Sequence, residues 1–436
     1  MRLQAISEPA SSNHLACGKI QGGISALSRR SFLVDALLAA TGCIFAGASG
    51  SQQTTKKLGA VVTIYSARSH ARNIVDRFLM GYEMHGRRHM PNFNLIAMYC
   101  DQVSPDDLSR SRAQEFGFKI YPSIPQSLKA GTAKLAVDAV LLVGEHGDYP
   151  NNAMGQKLYP RYNFFSQIVG TFREVSRSVP VFSDKHLSVE WKEAKQMFDW
   201  SRDLKFPLAA GSSLPLTWRQ PSLELPLEVE IEEALVAGAG SIESSWFHDL
   251  EALQCMVERR KGGETGVKAV HCIGGPAVWE AMQGKLWALE LQEAAIARSQ
   301  TTESRNLETM KRRTRDPHVM LLEYKDGLRA TLVHLNDYLP DWNFAGRLKG
   351  GEIVSCTFRT PEDTANNFNC LVASIEKTFS TGKETVPVER TLLTTGILAR
   401  LMESRYRGYQ RLETPELDLS YKAPADSGFC KGTEAG

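Results

Sequence analysis

Short runs of aliphatic and β-branched residues alternate along the chain with segments whose apolar residues recur every three or four positions. Gly59 to Tyr65 is such a run, and Ala71, Ile74, Val75, Phe78 and Leu79 follow it at helical spacing. The next run, Phe93 to Cys100, ends in Asp101, and the spacing predicts a helix over Leu108 to Phe116 closed by Gly117. Val137 to Val143 reads as a third strand, followed by a helix around Phe164, Phe165, Ile168, Val169 and Phe172 and a strand over Val179 to Phe182. Ser188 stands before a helix carrying Trp191, Ala194, Met197 and Phe198, and Phe206 to Ala210 supplies another strand. Strand and helix alternating in this way predict a parallel sheet, and in such sheets ligands collect at the carboxyl ends of the strands. The loops at 65–70, 101–103, 144–150 and 183–187 are therefore where binding and chemistry are expected.

Beyond Pro215 the pattern changes. Pro221 and Pro226 mark an irregular linker, and Leu227 to Ala237 reads as a strand. Phe247, Leu250, Leu253 and Val257 share one helical face in a segment that ends at Lys261-Gly262-Gly263. Val319 to Tyr324, the turn Lys325-Asp326-Gly327 and Leu328 to Leu335 predict a hairpin. Two closing helices are expected at about 364–379 and 388–406. The fold class is thus α/β: a Rossmann-like parallel-sheet domain over 57–215, then an α+β open-sheet domain over 216–422 and a tail at 423–436. A length of 436 residues suits two domains with a cleft between them.

Composition adds exclusions. A formal net charge of +2 creates no field that argues for nucleic acid, and no apolar run past the N-terminus approaches the length of a membrane helix. The one dense basic stretch, Lys311-Arg312-Arg313-Thr314-Arg315, reads as a solvated loop. Eight cysteines show no Cys-x-x-Cys pair and no zinc spacing, so buried free thiols are expected and a disulfide framework is not. Ser28-Arg29-Arg30-Ser31-Phe32-Leu33 before the apolar run Leu37 to Ala48 resembles a twin-arginine export signal. Residues 1–56 are accordingly read as signal and linker, the Tat translocation machinery as a partner, and the periplasm or another exported location as the destination. That route carries folded proteins, which agrees with free cysteines; Cys43 follows Ala40-Thr41-Gly42, a poor lipobox.

Asp101 closing the second strand, Val137-Asp138-Ala139-Val140-Leu141-Leu142-Val143 as the third, and Pro180-Val181-Phe182-Ser183-Asp184-Lys185 before a capped helix together resemble the glucose-fructose oxidoreductase/inositol dehydrogenase (Gfo/Idh/MocA) family. The resemblance covers most of residues 57–422. It implies a sugar oxidoreductase using NAD or NADP, with the Lys185 amine beside nicotinamide and substrate hydroxyl. It also places His248 at the histidine of an Asp-x-Gly-x-His series, the acid/base of such enzymes. Departures are specific: Asp184 stands for Glu, His186 for Pro, Ser244 for Asp and Trp246 for Gly. The dinucleotide loop carries no glycine; Tyr65, Ser66, Arg68 and Ser69 occupy it, where a helix N-terminus still offers an anion site.

Asp101 reads either as an acceptor for a ribose diol or as an acidic residue at a helix entrance. Glu145 and His146 either line the cofactor site or stabilise their loop. Trp218, Arg219 and Trp246 make either a carbohydrate-stacking wall or buried packing. His271 and His334, within strands, read as structural. The leading expectation is an exported NAD(P)-dependent oxidoreductase acting on a sugar, cyclitol or glycoside hydroxyl. Its rival is a binding or scaffold protein of the same fold that has lost the dinucleotide, and a third reading is hydrolysis or elimination through a keto-sugar. Pairing of copies through the open sheet is expected by analogy.

Overall fold

The computed structural model describes residues 55–361 and 365–432. The twin-arginine segment, Cys17 and Cys43 lie outside the described residues. Six strands form the first sheet: β1 (Lys56–Ile64), β2 (Phe93–Gln102), β3 (Lys119–Ile120), β4 (Ala139–Val143), β5 (Val181–Asp184) and β6 (Leu208–Gly211). All pair in parallel, in the order β3-β2-β1-β4-β5-β6. That is the doubly wound order, whose direction of winding reverses between β1 and β4 and opens a crevice there.

The crossover helices are α1 (His70–Met80), α2 (Ser109–Phe116), α3 (Arg161–Glu174) and α4 (Trp191–Asp203). Ser69 caps α1 by accepting from Arg72 N, and Gly117 ends α2 in the left-handed region at φ 75°. Ile74, Val75 and Phe78 of α1 bury against one face of the sheet; Phe165, Ile168 and Met197 of α3 and α4 bury against the other.

The second sheet has eight strands: β7 (Arg219–Gln220), β8 (Ile231–Gly238), β9 (Val267–Gly274), β10 (His318–Tyr324), β11 (Arg329–His334), β12 (Trp342–Leu348), β13 (Ile353–Phe358) and β14 (Leu412–Glu413). Their order is β14-β9-β10-β11-β8-β12-β13-β7, with β8 and β11 parallel and every other pair antiparallel. One face packs on α5 (Trp246–Val257), and the other on α6 (Leu289–Ile296). The closing helices are α7 (Asn367–Thr381), which joins the first sheet's core, and α8 (Val388–Tyr406), which contributes to the second core and touches α4. Arg390 of α8 donates Nε to Glu258 at the end of α5 at 2.8 Å; both side chains are buried, and the pair pins the helix that carries His248.

Three expectations change. Leu227 to Ala237 shortens to β8, because its first residues run irregularly to Glu230. The basic stretch is not a loop: Lys311, Arg312 and Arg313 form the last turn of a helix over Leu307–Arg313, where cations suit the negative helix end. Cys370 and Cys430 form a disulfide that fastens the tail to α7, while Cys100, Cys255, Cys272 and Cys356 are free as expected. The pairing had no signal in sequence, since 60 residues separate its halves. Among the described residues no helix is long and apolar enough to cross a membrane, and no group of His, Cys, Asp and Glu is arranged to hold a metal ion.

Candidate active site at the carboxyl edge of the parallel sheet

Lys185 follows the last residue of β5 and adopts φ 67°, a left-handed conformation that costs a side-chain-bearing residue about 1–2 kcal/mol. Its backbone N–H donates to Gly211 O at 3.2 Å. Gly211 itself has φ 120°, and a Cβ there would stand 2.6 Å from Glu251 Oε2. Glycine is required at that point for the two strand ends to meet α5. The turn aims Lys185 at α5, so that Nζ lies 2.7 Å from His248 Nε2. Residues 63 apart in sequence, both expected at the site, thus meet directly.

Behind the lysine stands Glu145, just after β4, buried at 5% exposure. Its carboxylate faces Lys185 Nζ at 3.8 Å and forms an ion pair with Arg161 at the start of α3. Burial works against its ionisation, but Lys185 and Arg161 more than offset that, and its pKa lies far below the usual glutamate value. The glycine before it lets Arg161 approach: a Cβ on Gly144 would meet Arg161 Cγ at 2.7 Å. Arg161 Nη1 also lies 2.9 Å from His186 Nε2, which in turn lies 2.9 Å from Glu243. The residue that replaces the family's proline therefore joins a buried charge chain.

On its other side, half-buried His248 has Nδ1 2.6 Å from Ser212 Oγ. Ser212 N donates to Glu251 at 3.3 Å, and Thr394 Oγ1 donates to the same carboxyl group at 2.7 Å. Burial, the Lys185 charge and His70 push the His248 pKa well below its ordinary 6.5. Neutral His248 thus presents the Nε2 lone pair to the lysine and Nδ1–H to Ser212. The orienting carboxylate missing from sequence is replaced by this hydroxyl. Asp249 does not serve: it turns to His334 Nδ1 at 2.8 Å, and His334 Nε2 donates to Gly240 O at 2.9 Å, a buried structural pair. His271 Nε2 reaches Tyr409 O at 3.0 Å, also structural.

The expected cofactor residues behave differently. Tyr65 is fully buried and its hydroxyl donates to Asp76, which Arg112 also holds at 3.1 Å. It therefore belongs to the core beneath α1 and does not face the crevice. Ser66 bridges in antiparallel fashion to Asp107, Ser69 is consumed as the α1 cap, and Arg68 is exposed, lining a surface hollow of about 430 Å3 with Arg72, Asn73 and Arg77. Asp101 accepts from Tyr99 OH at 2.6 Å on one oxygen and from Tyr149 OH at 2.7 Å on the other. His146, at φ 69°, holds Nδ1 3.4 Å from His70 N in the first turn of α1.

The proposed carbohydrate wall is buried packing. Trp246 is wholly buried, its ring 5.0 Å from that of His318. Trp218 lies in the first core, and Arg219 stacks 4.2 Å over Phe429 while donating to Leu223 O at 2.9 Å. Arg161, Ser212 and His70 went unnoticed in sequence; only the Ser212-Ser213 pair after a strand hinted at one of them.

No protein-family model matches the chain, and no curated protein matches it by sequence. Solved structures do. GenD2 from gentamicin A biosynthesis, in complex with NAD, aligns with a TM-score of 0.51 at 12% identity over 83% of this chain and 97% of that one. Apo scyllo-inositol dehydrogenase from Lactobacillus casei aligns with 0.51 at 12% over 83% and 98%. Myo-inositol dehydrogenase from the same organism, in complex with NAD(H) and myo-inositol, aligns with 0.51 at 11% over 83% and 97%. The fold is that of the Gfo/Idh/MocA dehydrogenases.

A dinucleotide in that fold would cross the carboxyl edge at β1. Here the loop after β4 takes that route itself. Asp148 N donates to Gln102 Oε1 at 2.8 Å and Gln102 Nε2 donates back to Asp148 O at 2.9 Å, while Tyr149 reaches Asp101. The loop therefore runs from β4 to the end of β2, with β1 between them, and Thr63 Oγ1 donates to Glu145 O beneath it at 2.8 Å. With this strap in place, Asp101 engaged by Tyr99 and Tyr149 and His146 over the α1 terminus, the residues present do not fit a dinucleotide in the usual pose.

The depressed pKa values of His146, His186 and His248 carry a stability signature, with burial the first cause for each. Below pH 6.5 the unfolded chain binds protons these side chains refuse when folded, so stability falls with pH by about 1.4 kcal/mol per unit per histidine. His334, raised chiefly by Asp249 against its burial, acts oppositely. Urea unfolding from pH 7.5 to 5 should show the acid-side slope flattened by about 1.4 kcal/mol per unit in His248→Gln; an unchanged slope contradicts the neutral assignment.

Proposed function

We propose that this chain is an exported enzyme that binds a sugar, cyclitol or glycoside at the Lys185–His248 pair and transfers a proton at one of its oxygens. The 2.7 Å contact between Lys185 Nζ and His248 Nε2 carries this reading. A substrate hydroxyl that displaces the direct contact and bridges the two nitrogens meets a lone pair that takes its proton and an ammonium that stabilises the oxyanion left behind. Ser212 holds the imidazole in the tautomer that leaves Nε2 free as the base, and Glu145 keeps the lysine aimed without taking its place. Trp342 stacks edge-on against His248 at 5.5 Å and shields the pair.

The shared fold supports an oxidoreductase: the similar GenD2 structure contains NAD, and the similar inositol dehydrogenase contains NAD(H) and myo-inositol. Use of NAD or NADP by this chain requires the strap to give way. The second reading, a binding protein of the same fold without a dinucleotide, is favoured by the closed crevice. Export is supported by the twin-arginine resemblance and by the Cys370–Cys430 bond, which persists in oxidising compartments. Changing Arg29 and Arg30 together to Lys should leave the full-length chain in the cytoplasmic fraction; unchanged export contradicts that assignment.

The enzymatic reading is tested with myo-inositol, D-glucose and D-xylose, with and without NAD or NADP, after mass spectrometry of the unwashed protein for bound nucleotide. A polyol that binds should raise the melting temperature. Lys185→Ala should lower turnover of that polyol by about 10²- to 10⁴-fold with the far-UV spectrum unchanged. Equal turnover in Lys185→Ala rejects the proton-transfer role, and binding without turnover in the wild type selects the binding protein.

A further inference from the structure

Two imidazoles occupy the part of the crevice nearest Lys185. His70, the first residue of α1, has Nδ1 2.7 Å from Asp184 Oδ2, and the Asp184 carboxylate is 2% exposed. Its ring packs edge-on to Phe368 with centroids 5.0 Å apart and lies 5.1 Å from the ring of His146. A carboxylate accepts only, so Nδ1 donates to it and Nε2 is the ring nitrogen left to exchange a proton, as in other imidazoles oriented by a carboxylate. Asp184 adjoins Lys185 in the chain, and His70 stands within electrostatic reach of both Glu145 and His248. His70 and His248 thus each have Nδ1 engaged by a polar partner, Asp184 and Ser212, and Lys185 adjoins the first partner in the chain and touches the second imidazole.

We propose that His70 is a second proton-transfer group of this site, and that the site catalyses a redox-neutral proton transfer at a carbon beside the carbonyl of an aldo- or keto-sugar, without a nicotinamide. This rests on the sugar reading given above. His70 Nε2 takes the proton from the carbon that bears the neighbouring hydroxyl. The C–H electron pair becomes the C=C bond of an enediolate, and the carbonyl π pair moves onto oxygen, which receives a proton from Lys185. His248 Nε2 then takes the proton of the neighbouring hydroxyl, whose oxygen becomes the new carbonyl, while His70 returns its proton to the other carbon. The proton on His248 passes back to Lys185 across their contact. One carbon is oxidised as its neighbour is reduced, so aldose and ketose interconvert with no external acceptor.

The test uses the mature protein, confirmed free of nucleotide by native mass spectrometry, with D-glucose, D-xylose, D-fructose or scyllo-inosose in deuterium oxide. Wild-type protein should place deuterium on carbon beside the carbonyl, read by proton NMR. His70→Asn, which keeps a donor toward Asp184, should exchange at least about 100-fold more slowly while the sugar still raises the melting temperature. Absence of exchange with all four sugars, or exchange by His70→Asn at the wild-type rate, overturns the proposal. Should these sugars raise the melting temperature and turn over only with added nucleotide, the sugar reading stands and this inference falls. Neither melting shift nor exchange removes both.

Discussion

The Glu145 carboxylate is the charge on which the rest of the site depends. A buried anion is tolerable only when cations and donors surround it, and a carboxylate stripped of such partners costs several kcal/mol. Here Arg161 from α3 and Lys185 from the end of β5 converge on it. Three separate stretches of chain are thereby fixed relative to one another at the carboxyl edge. Lys185, with Glu145 at 3.8 Å on one side, makes its side-chain hydrogen bond to His248 at 2.7 Å. The left-handed turn at Lys185 and the bare Gly211 opposite it are the backbone conditions for that geometry.

Around this charge the fold separates two functions that dehydrogenases of its shape combine. The half proposed to handle protons brings together a lysine, an imidazole whose pKa is held low, and a hydroxyl bonded to it. The nucleotide half is closed by the chain's own side chains: Tyr149 and Tyr99 saturate Asp101, and Gln102 secures the loop across β1. The first loop carries Arg68 and no glycine, and beside it His146 packs against His70 at the start of α1. The proposed redox-neutral proton transfer rests on that combination of a lysine–histidine contact and a closed nucleotide edge.

The parallel sheet was legible because five apolar runs alternate with helical spacing; its order was not, and the two-residue edge strand β3 is too short to leave a pattern. The fold brings the Lys185 and His248 side chains within 2.7 Å of each other, and both residues were singled out through the family resemblance of their motifs. Their partners were not. Ser212, Arg161 and His70 reach the site through tertiary folding from loops and helix ends with no local pattern. Tyr65 and Trp246 misled in the opposite direction: both stand at positions associated with ligands, yet each is a large side chain that the core claims, Tyr65 through Asp76 and Trp246 beside His318. Burial of such residues depends on what packs above them, which local spacing does not encode. The Cys370–Cys430 bond joins a helix to the tail and follows the same rule.

The most direct measurement is a crystal structure of the mature protein grown with saturating myo-inositol and NAD. The expected result is a polyol hydroxyl bridging Lys185 Nζ and His248 Nε2 in place of their direct contact, Tyr149 still bonded to Asp101, and no dinucleotide along the edge at β1. A dinucleotide lying in the crevice with residues 145–150 displaced, or a polyol bound away from the lysine and histidine, would contradict it.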